Sequence, residues 1–308
     1  MSAIRPAVAG YLSLRRSLGF KLEEPGWLLL DFARFLEHAG AGHITVEAAM
    51  QWATAPAGAT SYYYWLRLSA VRGLAAHLHA IDPRHQLLPR GLLPRNYHRP
   101  LPYLFTAGEI AALIAACQTL RGALQAATFQ TLIGLLAVTA MRPGEAINLD
   151  REHVDLHEAV ITVLDGKGGI SRILMLQPSS VAALAGYAEL RDRLCPDPEG
   201  PGFFVSTAGT RLRHNRLNIV FPKLARIAGL TPRPARCRPR PMDLRHTFAV
   251  STLTGWYRAG ADIDALMPVL STWLGHSKPE STYWYLSASP ELLALAAGRL
   301  RHAQEQLP

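Results

Sequence analysis

The 308-residue sequence predicts a mainly α-helical protein with a small antiparallel β-sheet, divided into an all-α N-terminal domain and a mixed α/β C-terminal domain. Three observations predict this class. Apolar residues recur at helical spacing over most of the chain, two β-branched runs flank one glycine-rich turn, and a segment rich in proline and arginine separates two regions large enough for separate cores. The hydrophobic fraction of 49% excludes a disordered chain.

Positive charge exceeds negative charge, with 32 Lys and Arg residues against 23 Asp and Glu residues, a formal net charge of +9 and a pI near 9.8. Such a balance favours a polyanionic partner, either nucleic acid or an anionic membrane surface. Only Lys21, Lys167, Lys223 and Lys278 are lysines, so arginine carries most of the charge, and its planar fork suits bidentate phosphate contacts. A bias of genomic base composition explains the arginine content equally well.

Residues 1–88 are predicted to form the N-terminal helical domain. The segment WLLLDFARFLEHAG has apolar residues at helical spacing, and Gly40 and Gly42 stand where that helix should end. In the last helix of the domain, Arg67 and Arg72 flank an apolar stripe. Given the positive charge of the chain, we predict that these two arginines bind DNA. A core helix with solvated arginines accounts for the same pattern.

A basic, proline-rich linker is predicted over residues 89–104, because prolines and basic residues dominate the stretch RGLLPRNYHRPLP. The C-terminal domain, residues 105–308, opens with Thr106 and Glu109, which have the spacing of a capping box. Its segment AVITVLDGKGGISRILML predicts a β-hairpin with Lys167 at the tip. Further helices are predicted over residues 180–194, 214–228, 243–258, 263–274 and 290–306.

Membrane, secretory and metal-dependent classes are disfavoured by the sequence. Glutamines and threonines interrupt the apolar run over residues 124–141, which favours a buried helix over a membrane span. The first residues lack the apolar core and cleavage site of a secretory signal. Cys117, Cys195 and Cys237 have neither metal-ligand nor disulfide spacing. We therefore expect a cytoplasmic protein that uses no metal and no cofactor.

Four separated fragments carry the residues that point to a reaction. They are TAMRPGEAINL with Arg142, GKGG with Lys167, MDLRHTFA with Arg245, and LGHSKPESTYWY with His276 and Tyr285. In this order and at these separations they resemble the catalytic domain of the tyrosine recombinase, or phage integrase, family over roughly residues 106–292. The linker and the tail YWYLSASPELL are further similar to transposon- and genomic-island-borne members. The resemblance implies a helical core-binding domain followed by the catalytic domain.

The resemblance implies that Arg142 and Arg245 bind the non-bridging oxygens of a scissile DNA phosphate and stabilise the extra negative charge of the transition state. Because Pro143 marks a helix start, a rigid element would hold the Arg142 guanidinium. A structural ion pair with Glu145, one turn on, is the alternative interpretation of Arg142. A phosphate neutralised by guanidinium groups needs no metal ion.

The nucleophile implied by the resemblance is Tyr285, nine residues after His276, rather than Tyr283, which is seven residues after it. Attack by this tyrosine would give a 3′-phosphotyrosyl intermediate and a free 5′-hydroxyl, which can be rejoined without ATP. Lys167 would protonate the departing 5′-oxygen, and His276 would donate a hydrogen bond to the phosphate or assist proton transfer. A solvated turn lysine and a histidine at a helix C-terminus are the structural alternatives.

One position departs from the family pattern. The family keeps a histidine three residues before the second arginine, where this sequence has Met242, whose thioether cannot accept the tyrosine proton. His246 follows Arg245 and is interpreted as a packing residue on a different helix face. The arginines just upstream are predicted to bind DNA or to form a solvated basic loop, and they are Arg233, Arg236, Arg238 and Arg240.

Together these observations predict a site-specific DNA recombinase that integrates or excises a mobile element. From the resemblance, we expect a nucleoid-associated enzyme that acts on double-stranded DNA as a homo- or hetero-tetramer on paired sites. Its C-terminal interaction helix has an apolar face that includes Leu292, Leu295 and Leu300. Two alternatives stay open. Met242 favours a non-catalytic DNA-binding subunit of a recombinase complex, and the same chemistry without paired sites would be a type IB topoisomerase-like activity.

Overall fold

The computed structural model describes residues 4–96, 101–166, 169–232, 237–287 and 289–305. The chain forms two compact units, Met1–Arg99 and Pro100–Pro308, which we call unit 1 and unit 2. Three of the predicted site residues, Lys167, Arg233 and Arg236, lie outside the described residues. In the described part of the chain, no helix is both long and apolar enough to cross a membrane.

Unit 1 is helical, as the sequence predicts. Between residues 4 and 96 its helices are α1 (Ile4–Ser17), α2 (Glu23–His38), α3 (Val46–Thr54) and α4 (Ser61–His79). The hydroxyls of Thr45 and Thr60 accept hydrogen bonds from backbone amides in the first turns of α3 and α4, so each of these helices begins at a capping residue. The four helices share one apolar core, which includes Phe32, Trp52 and Leu68.

The two arginines of α4 that were predicted to bind DNA make contacts inside unit 1. Arg67 is 7% exposed, and its guanidinium lies 3.7 Å above the Trp52 ring and donates to the Trp52 carbonyl at 2.9 Å. These contacts hold the Arg67 guanidinium within unit 1, and a DNA contact by Arg67 stays a prediction. Arg72 is partly buried and donates to the carbonyls of Leu88 and Pro89 at 3.3 and 3.2 Å. A DNA contact by Arg72 stays a prediction.

The segment predicted as an extended linker is packed at both of its ends. Leu92 and Leu93 lie against the core of unit 1, while Tyr103, with Phe105 just after it, is buried in the core of unit 2. The expectation of an unpacked segment rested on the prolines and arginines of residues 89–104. These dominate the composition, but the few apolar residues between them are enough to anchor the backbone.

Unit 2 combines helices with a small sheet. Its helices are α5 (Ala107–Ala116), α6 (Ala123–Thr139), α7 (Pro143–Ile147), α8 (Pro178–Leu194), α9 (His214–Ile227), α10 (Pro241–Arg258), α11 (Ile263–Leu274), α12 (Glu280–Tyr283) and α13 (Pro290–Glu305). The strands β1 (Val154–Asp155), β2 (Val160–Val163) and β3 (Arg172–Met175) are antiparallel and lie in sequence order. Strands β2 and β3 form the predicted hairpin, with Val163 opposite Arg172.

The long helix α6 forms the centre of unit 2. It is apolar on nearly all sides, and residues such as Phe129 and Leu136 are buried where α5, α8 and α10 pack against it. The helix ends where Ala140 adopts a left-handed conformation with φ of 55°, and the chain then turns into α7. This turn places Arg142 directly before α7, with Pro143 in the first helical position.

A second apolar cluster of unit 2 joins α10 and α11 to the C-terminal segment. Its buried members include Leu253 of α10, Leu270 of α11, Tyr285 and Leu292 of α13. In this structure the C-terminal helix therefore packs on its own unit. The same cluster encloses the tyrosine that the sequence analysis proposes as nucleophile.

Candidate active site

Arg142 is held by the turn between α6 and α7. Its backbone amide donates to Glu145 Oε2 at 2.9 Å, and its Nη1 atom donates to Glu145 Oε1 at 2.7 Å, so the alternative of an ion pair with Glu145 is present in the structure. The Nη2 atom reaches the carbonyl of Gly275 at 3.2 Å, next to His276. The side chain is 18% exposed. The ion pair thus orients the Arg142 guanidinium toward the end of α11 and leaves part of it accessible.

A buried glutamate joins Arg142 to a further arginine that the sequence analysis missed. Glu145 Oε2 accepts a hydrogen bond from Arg172 Nη2 at 2.7 Å, and the two side chains are 6% and 4% exposed. Burial alone would raise the pKa of Glu145, but hydrogen bonds from Arg172 and Arg142 outweigh it and hold the pKa below its usual value. Strand alternation would have identified Arg172, because β3 buries Arg172 and Leu174 and leaves Ile173 64% exposed.

Arg245 lies on the buried face of α10 and is 2% exposed. Its Nη1 atom donates to the Ala140 carbonyl at 2.8 Å and its Nη2 atom to the Leu274 carbonyl at 2.6 Å, so one guanidinium joins the C-terminal ends of α6 and α11. Burial lowers the pKa of Arg245 to about 10, and the charge of Arg142 acts in the same direction, while Tyr285 opposes the shift. At neutral pH the group therefore keeps its positive charge.

His276 follows the glycine that ends α11. Gly275 has φ of 64°, and the His276 amide donates back to the Ser271 carbonyl at 3.0 Å, which fixes the backbone of the turn. Arg245 Nη2 lies 3.0 Å from His276 Nε2, and Nε2 must be the acceptor because a guanidinium only donates. The Nδ1 atom then carries the proton and donates to Thr282 Oγ1 at 2.7 Å. Thr282 is fully buried and was missed by the sequence analysis.

Tyr285 is enclosed by the same groups and is 2% exposed. Its ring lies nearly parallel to the His276 ring, with centroids 6.2 Å apart, and 5.5 Å from the His246 ring. The Tyr285 side chain is also close enough to Arg245 to oppose the lowering of the pKa of that guanidinium. Tyr283, in contrast, is 47% exposed. Of these two tyrosines, the structure brings Tyr285 together with Arg245 and His276.

Met242 and His246 lie one turn apart on α10. Met242 is partly buried, His246 is 8% exposed, and residues four positions apart share one face of a helix. The His246 ring lies 5.4 Å from the Trp284 ring as well as against Tyr285. His246 is thus the packing residue that the sequence indicates, but the residue on which it packs is the proposed nucleophile.

The basic residues before α10 have different environments. Arg238 is exposed, whereas Arg240 donates through Nε and Nη2 to Asp243 at 3.0 and 2.7 Å. Asp243 is buried, and burial raises its pKa although Arg240 opposes the shift. The Arg240 amide also donates to Asp243 at 2.9 Å, so this pair stabilises the start of the helix that carries Arg245. DNA contacts by Arg238 and Arg240 stay predictions.

Comparison with known proteins identifies the architecture. Residues 104–291 match the phage integrase family. Over 311 aligned residues the chain is 40% identical to y4rB of Sinorhizobium fredii, which bears the name integrase/recombinase, and the alignment covers 99% of both chains. The chain belongs to the phage integrase family. It is a tyrosine-type DNA strand transferase of site-specific recombination.

A further relative and two solved structures are similar to this phage integrase. XerD of Mycobacterium leprae, a tyrosine recombinase, is 30% identical over 73% of this chain and 69% of its own length. The Tn1549 transposon integrase, solved in complex with transposon right end DNA, shares the fold with a TM-score of 0.63 and 16% identity, covering 96% of this chain and 98% of that chain. XerH bound to its difH substrate gives a TM-score of 0.61 and 21% identity over 88% and 77% of the two chains. The predicted fold class is confirmed.

Proposed function

We propose that this phage integrase cleaves a DNA phosphodiester with Tyr285 while Arg142 and Arg245 hold the phosphate and His276 assists proton transfer. The observation that carries the proposal is the convergence of three separate segments. Arg245 on α10 contacts His276 at 3.0 Å, and the Tyr285 ring stacks beside His276 at 6.2 Å. Phosphoryl transfer to tyrosine needs cationic donors beside the attacking residue, because the transition state gains negative charge.

In the proposed step the Tyr285 hydroxyl oxygen attacks phosphorus and its proton passes to a base. The bond between phosphorus and the 5′-oxygen breaks, and this oxygen takes a proton from Lys167. The products are a 3′-phosphotyrosyl bond and a 5′-hydroxyl. Attack by a 5′-hydroxyl on the phosphotyrosyl bond reverses these changes, so rejoining consumes no ATP.

The supporting geometry is the fixed position of the two guanidinium groups. Arg245 is held by the carbonyls of Ala140 and Leu274, and Arg142 by Glu145. Side chains locked in this way need not reorganise when charge develops on the phosphate. Their burial also reduces screening by water, so each donor stabilises the transition state more than an exposed arginine would.

We further propose that the substrate is double-stranded DNA on paired sites, bound by a tetramer of this chain or of this chain with a relative. The names of y4rB, an integrase/recombinase, and of the Tn1549 transposon integrase support integration or excision of a mobile element as the role. Residence at the nucleoid would follow from that substrate. On α13, Leu292 is buried but Leu293 is 48% exposed, and Leu293 offers a neighbouring subunit an apolar contact.

Covalent capture tests the proposal and recovers the target sequence in the same experiment. The purified protein is incubated in EDTA with sheared genomic DNA of its source, denatured with detergent, and the DNA that stays attached is sequenced. We expect the parent protein to capture a defined sequence. Tyr285→Phe should capture none while binding that DNA as the parent does, because only the nucleophilic oxygen is lost. Tyr283→Phe, at the exposed tyrosine, is the matched control and should behave as the parent.

Each alternative has its own outcome in this experiment. Capture by Tyr285→Phe together with loss in Tyr283→Phe would move the nucleophile to Tyr283. Sequence-specific binding by the parent without any capture would favour the non-catalytic subunit. Relaxation of a supercoiled plasmid that lacks the captured sequence would favour a type IB topoisomerase-like activity. A strict requirement for Mg²⁺ in cleavage would point to chemistry other than that of a tyrosine held by arginines.

A further inference from the structure

Arg172 contacts segments of unit 2 that are far apart in sequence and that carry the proposed catalytic groups. Its Nε atom donates to the carbonyl of Trp273, three residues before His276, at 2.8 Å. Its Nη2 atom donates to Glu145 at 2.7 Å, and Glu145 in turn holds Arg142. Arg172 itself begins strand β3, five residues after Lys167. One guanidinium therefore joins the hairpin to Glu145 of α7 and to the last turn of α11.

Two glycines show how closely the backbone approaches this ion pair. A Cβ atom at Gly275 would lie 2.7 Å from Arg172 Nη1, and a Cβ atom at Gly166, in the hairpin turn, would lie 3.1 Å from Glu145 Oε1. The first distance is shorter than a real Cβ contact, and the second is tighter than most real Cβ contacts. The residue before His276 and the residue before Lys167 are thus both packed against the pair formed by Arg172 and Glu145.

The ion pair of Arg172 and Glu145 is better suited to fixing the positions of the neighbouring segments than to stabilising the fold. A buried ion pair loses the hydration of both charges, so apolar residues of the same volume often stabilise a core as well. A guanidinium, however, donates in several fixed directions at once and can hold two acceptors at a defined angle. A lysine at this position could keep the charge beside Glu145 but not the fixed angle to the carbonyl of Trp273.

We propose that Arg172 is a positioning residue that fixes the hairpin of Lys167 against the turns that present Arg142 and His276. Arg172 touches no reacting atom in this proposal. The inference rests on the proposed function, since it has meaning only if the residues so positioned carry out the cleavage. It adds a residue on which the relative placement of the proton donor and the phosphate-binding groups depends.

The test compares Arg172→Lys and Arg172→Met on two versions of one substrate. The DNA is a nicked duplex with the sequence recovered by covalent capture, made either with the natural 5′-oxygen or with sulfur in its place at the scissile bond. A thiol ionises near pH 8.5, so a departing sulfur needs no proton donor, whereas a departing oxygen does. Single-turnover formation of the covalent adduct and DNA binding are measured on both. Lys167→Ala marks the behaviour of a lost proton donor.

Arg191→Lys is the matched control, because Arg191 is also a buried arginine of unit 2. It is 1% exposed, its Nη1 atom donates to the Phe203 carbonyl at 2.9 Å, and it pairs with Asp192 rather than with a predicted site residue. A substitution that acts only through stability should affect this variant and Arg172→Lys alike. Melting temperatures of all variants are measured so that rates are compared between folded proteins.

We expect Arg172→Met to cleave the natural DNA about 100-fold more slowly than the parent, since small displacements of catalytic groups have effects of this size. Arg172→Lys should lose about tenfold, because it keeps the charge but not the fork. DNA binding should stay within about twofold of the parent for both variants. On the sulfur-containing DNA most of the loss should disappear, as for Lys167→Ala, while Arg191→Lys should cleave both substrates at nearly the parent rate.

Three results would overturn the proposal. One is cleavage by Arg172→Met at the parent rate on natural DNA. Another is an equal loss on both substrates, which would show that the hairpin is not what Arg172 positions. The third is failure of both Arg172 variants to fold, which would make it a residue of the fold. If instead the parent forms no adduct, or Tyr285→Phe still forms one, the proposed function fails, and this result is distinguishable from all three.

Discussion

The buried arginines of unit 1 and unit 2 look alike in the sequence but differ in what they contact. Arg67 in unit 1 lies over the Trp52 ring and donates to the carbonyl of that same residue. Arg245 in unit 2 donates to carbonyls that end two different helices and lies 3.0 Å from His276. Both side chains are nearly buried, at 7% and 2% exposed. Burial of an arginine therefore does not by itself indicate a site.

The difference lies in how many elements one guanidinium joins. Arg67 covers an aromatic ring within the core of unit 1, where stacking, one hydrogen bond and the Asp31 carboxylate at 3.6 Å compensate for its lost hydration. Arg245 stands where several helix ends meet, so its removal would release the backbone that presents His276 as well as a charge. We infer that a buried arginine at a junction of helix ends serves the site, while one stacked on an aromatic ring serves the fold.

The largest effect on cleavage is expected when an arginine of the proposed site, Arg142 or Arg245, is replaced. Arg142→Ala and Arg245→Ala should each slow formation of the covalent adduct by about 10²- to 10³-fold, because one preorganised donor contributes about 3–4 kcal/mol to transition-state stabilisation. Single-turnover assays on the captured sequence measure this loss. DNA binding should change far less, since the wider surface supplies most phosphate contacts.

Arg67→Ala is the matched control for that comparison. Arg245→Lys keeps the positive charge but not the guanidinium, so its cleavage rate shows whether charge alone supports cleavage. The folded fraction of Arg67→Ala should cleave within about threefold of the parent, because the contacts of Arg67 lie within unit 1. If Arg67→Ala slowed cleavage of a fully folded protein as much as Arg245→Ala does, the distinction between fold and site arginines would be lost.

The sequence was sufficient where local signals decide the structure. The capping box of Thr106 and Glu109 is present, and the predicted helix over residues 263–274 matches Ile263–Leu274, because Asp262 caps its start and Gly275 ends it. The five residues of the proposed site came from resemblance and spacing. The structure places Arg142, Arg245, His276 and Tyr285 close together, and Lys167 lies outside the described residues.

The sequence was insufficient where a contact links distant segments. Arg172 pairs with Glu145 across 27 positions, and no periodicity shows which acid an inward-facing strand arginine will meet. The contact of Arg67 with Trp52 was missed for the same reason, since Trp52 belongs to another helix. Strand β1 was missed because it has two residues, too few for any alternation to be recognised.

The next effect concerns Met242, at the position where the family keeps a histidine. Met242→His should raise cleavage near neutral pH by about tenfold, less than the full range for general acid–base catalysis because the pocket has not been shaped around an imidazole. The parent rate should climb from about pH 6.5 to about pH 9.5 because hydroxide then takes the place of the missing general base, and the variant should show a flatter profile. Adduct formation across this range measures both changes.

Met242→Gln is the control for size and polarity, because an amide cannot take up the proton. It should keep the rate and the steep pH profile of the parent. Equal rates for Met242→His and Met242→Gln would mean that another group already serves as base. His246, which packs against Tyr285, would then be the first residue to replace.

A smaller effect, confined to unit 1, is expected for Arg67→Lys. Replacing the planar guanidinium by an ammonium removes most of the stacking on Trp52, which contributes about 1–2 kcal/mol when the cation is desolvated. The free energy of unfolding of unit 1 should fall by about that amount. Hydrogen exchange of α3 and α4 in the full chain measures it, and the exchange of α10 and α11 should not change. Faster exchange in α10 and α11 as well would show that Arg67 supports more than its own unit.

The smallest effect should be a loss of unit 1 stability in mild acid, caused by His85. This residue is 7% exposed, and its Nδ1 atom accepts a hydrogen bond from the Ile44 amide at 3.1 Å, with the His43 ring 5.2 Å away. Burial lowers the pKa of His85, and the charge of His43 acts in the same direction. The unfolded chain, with a histidine pKa of about 6.5, therefore binds the proton more readily than the folded chain. The stabilisation is complete above that pH and is lost as the pH falls below it, because a proton on Nδ1 would face the Ile44 N–H.

His85→Gln can keep an acceptor for that amide without titrating, so hydrogen exchange around Ile44 should be faster in the parent than in the variant near pH 5.5 and similar near pH 7.5. Comparing the two proteins at each pH cancels the intrinsic pH dependence of exchange. A parent that keeps the same protection as His85→Gln at both pH values would show that the Ile44 contact does not depend on the charge of His85.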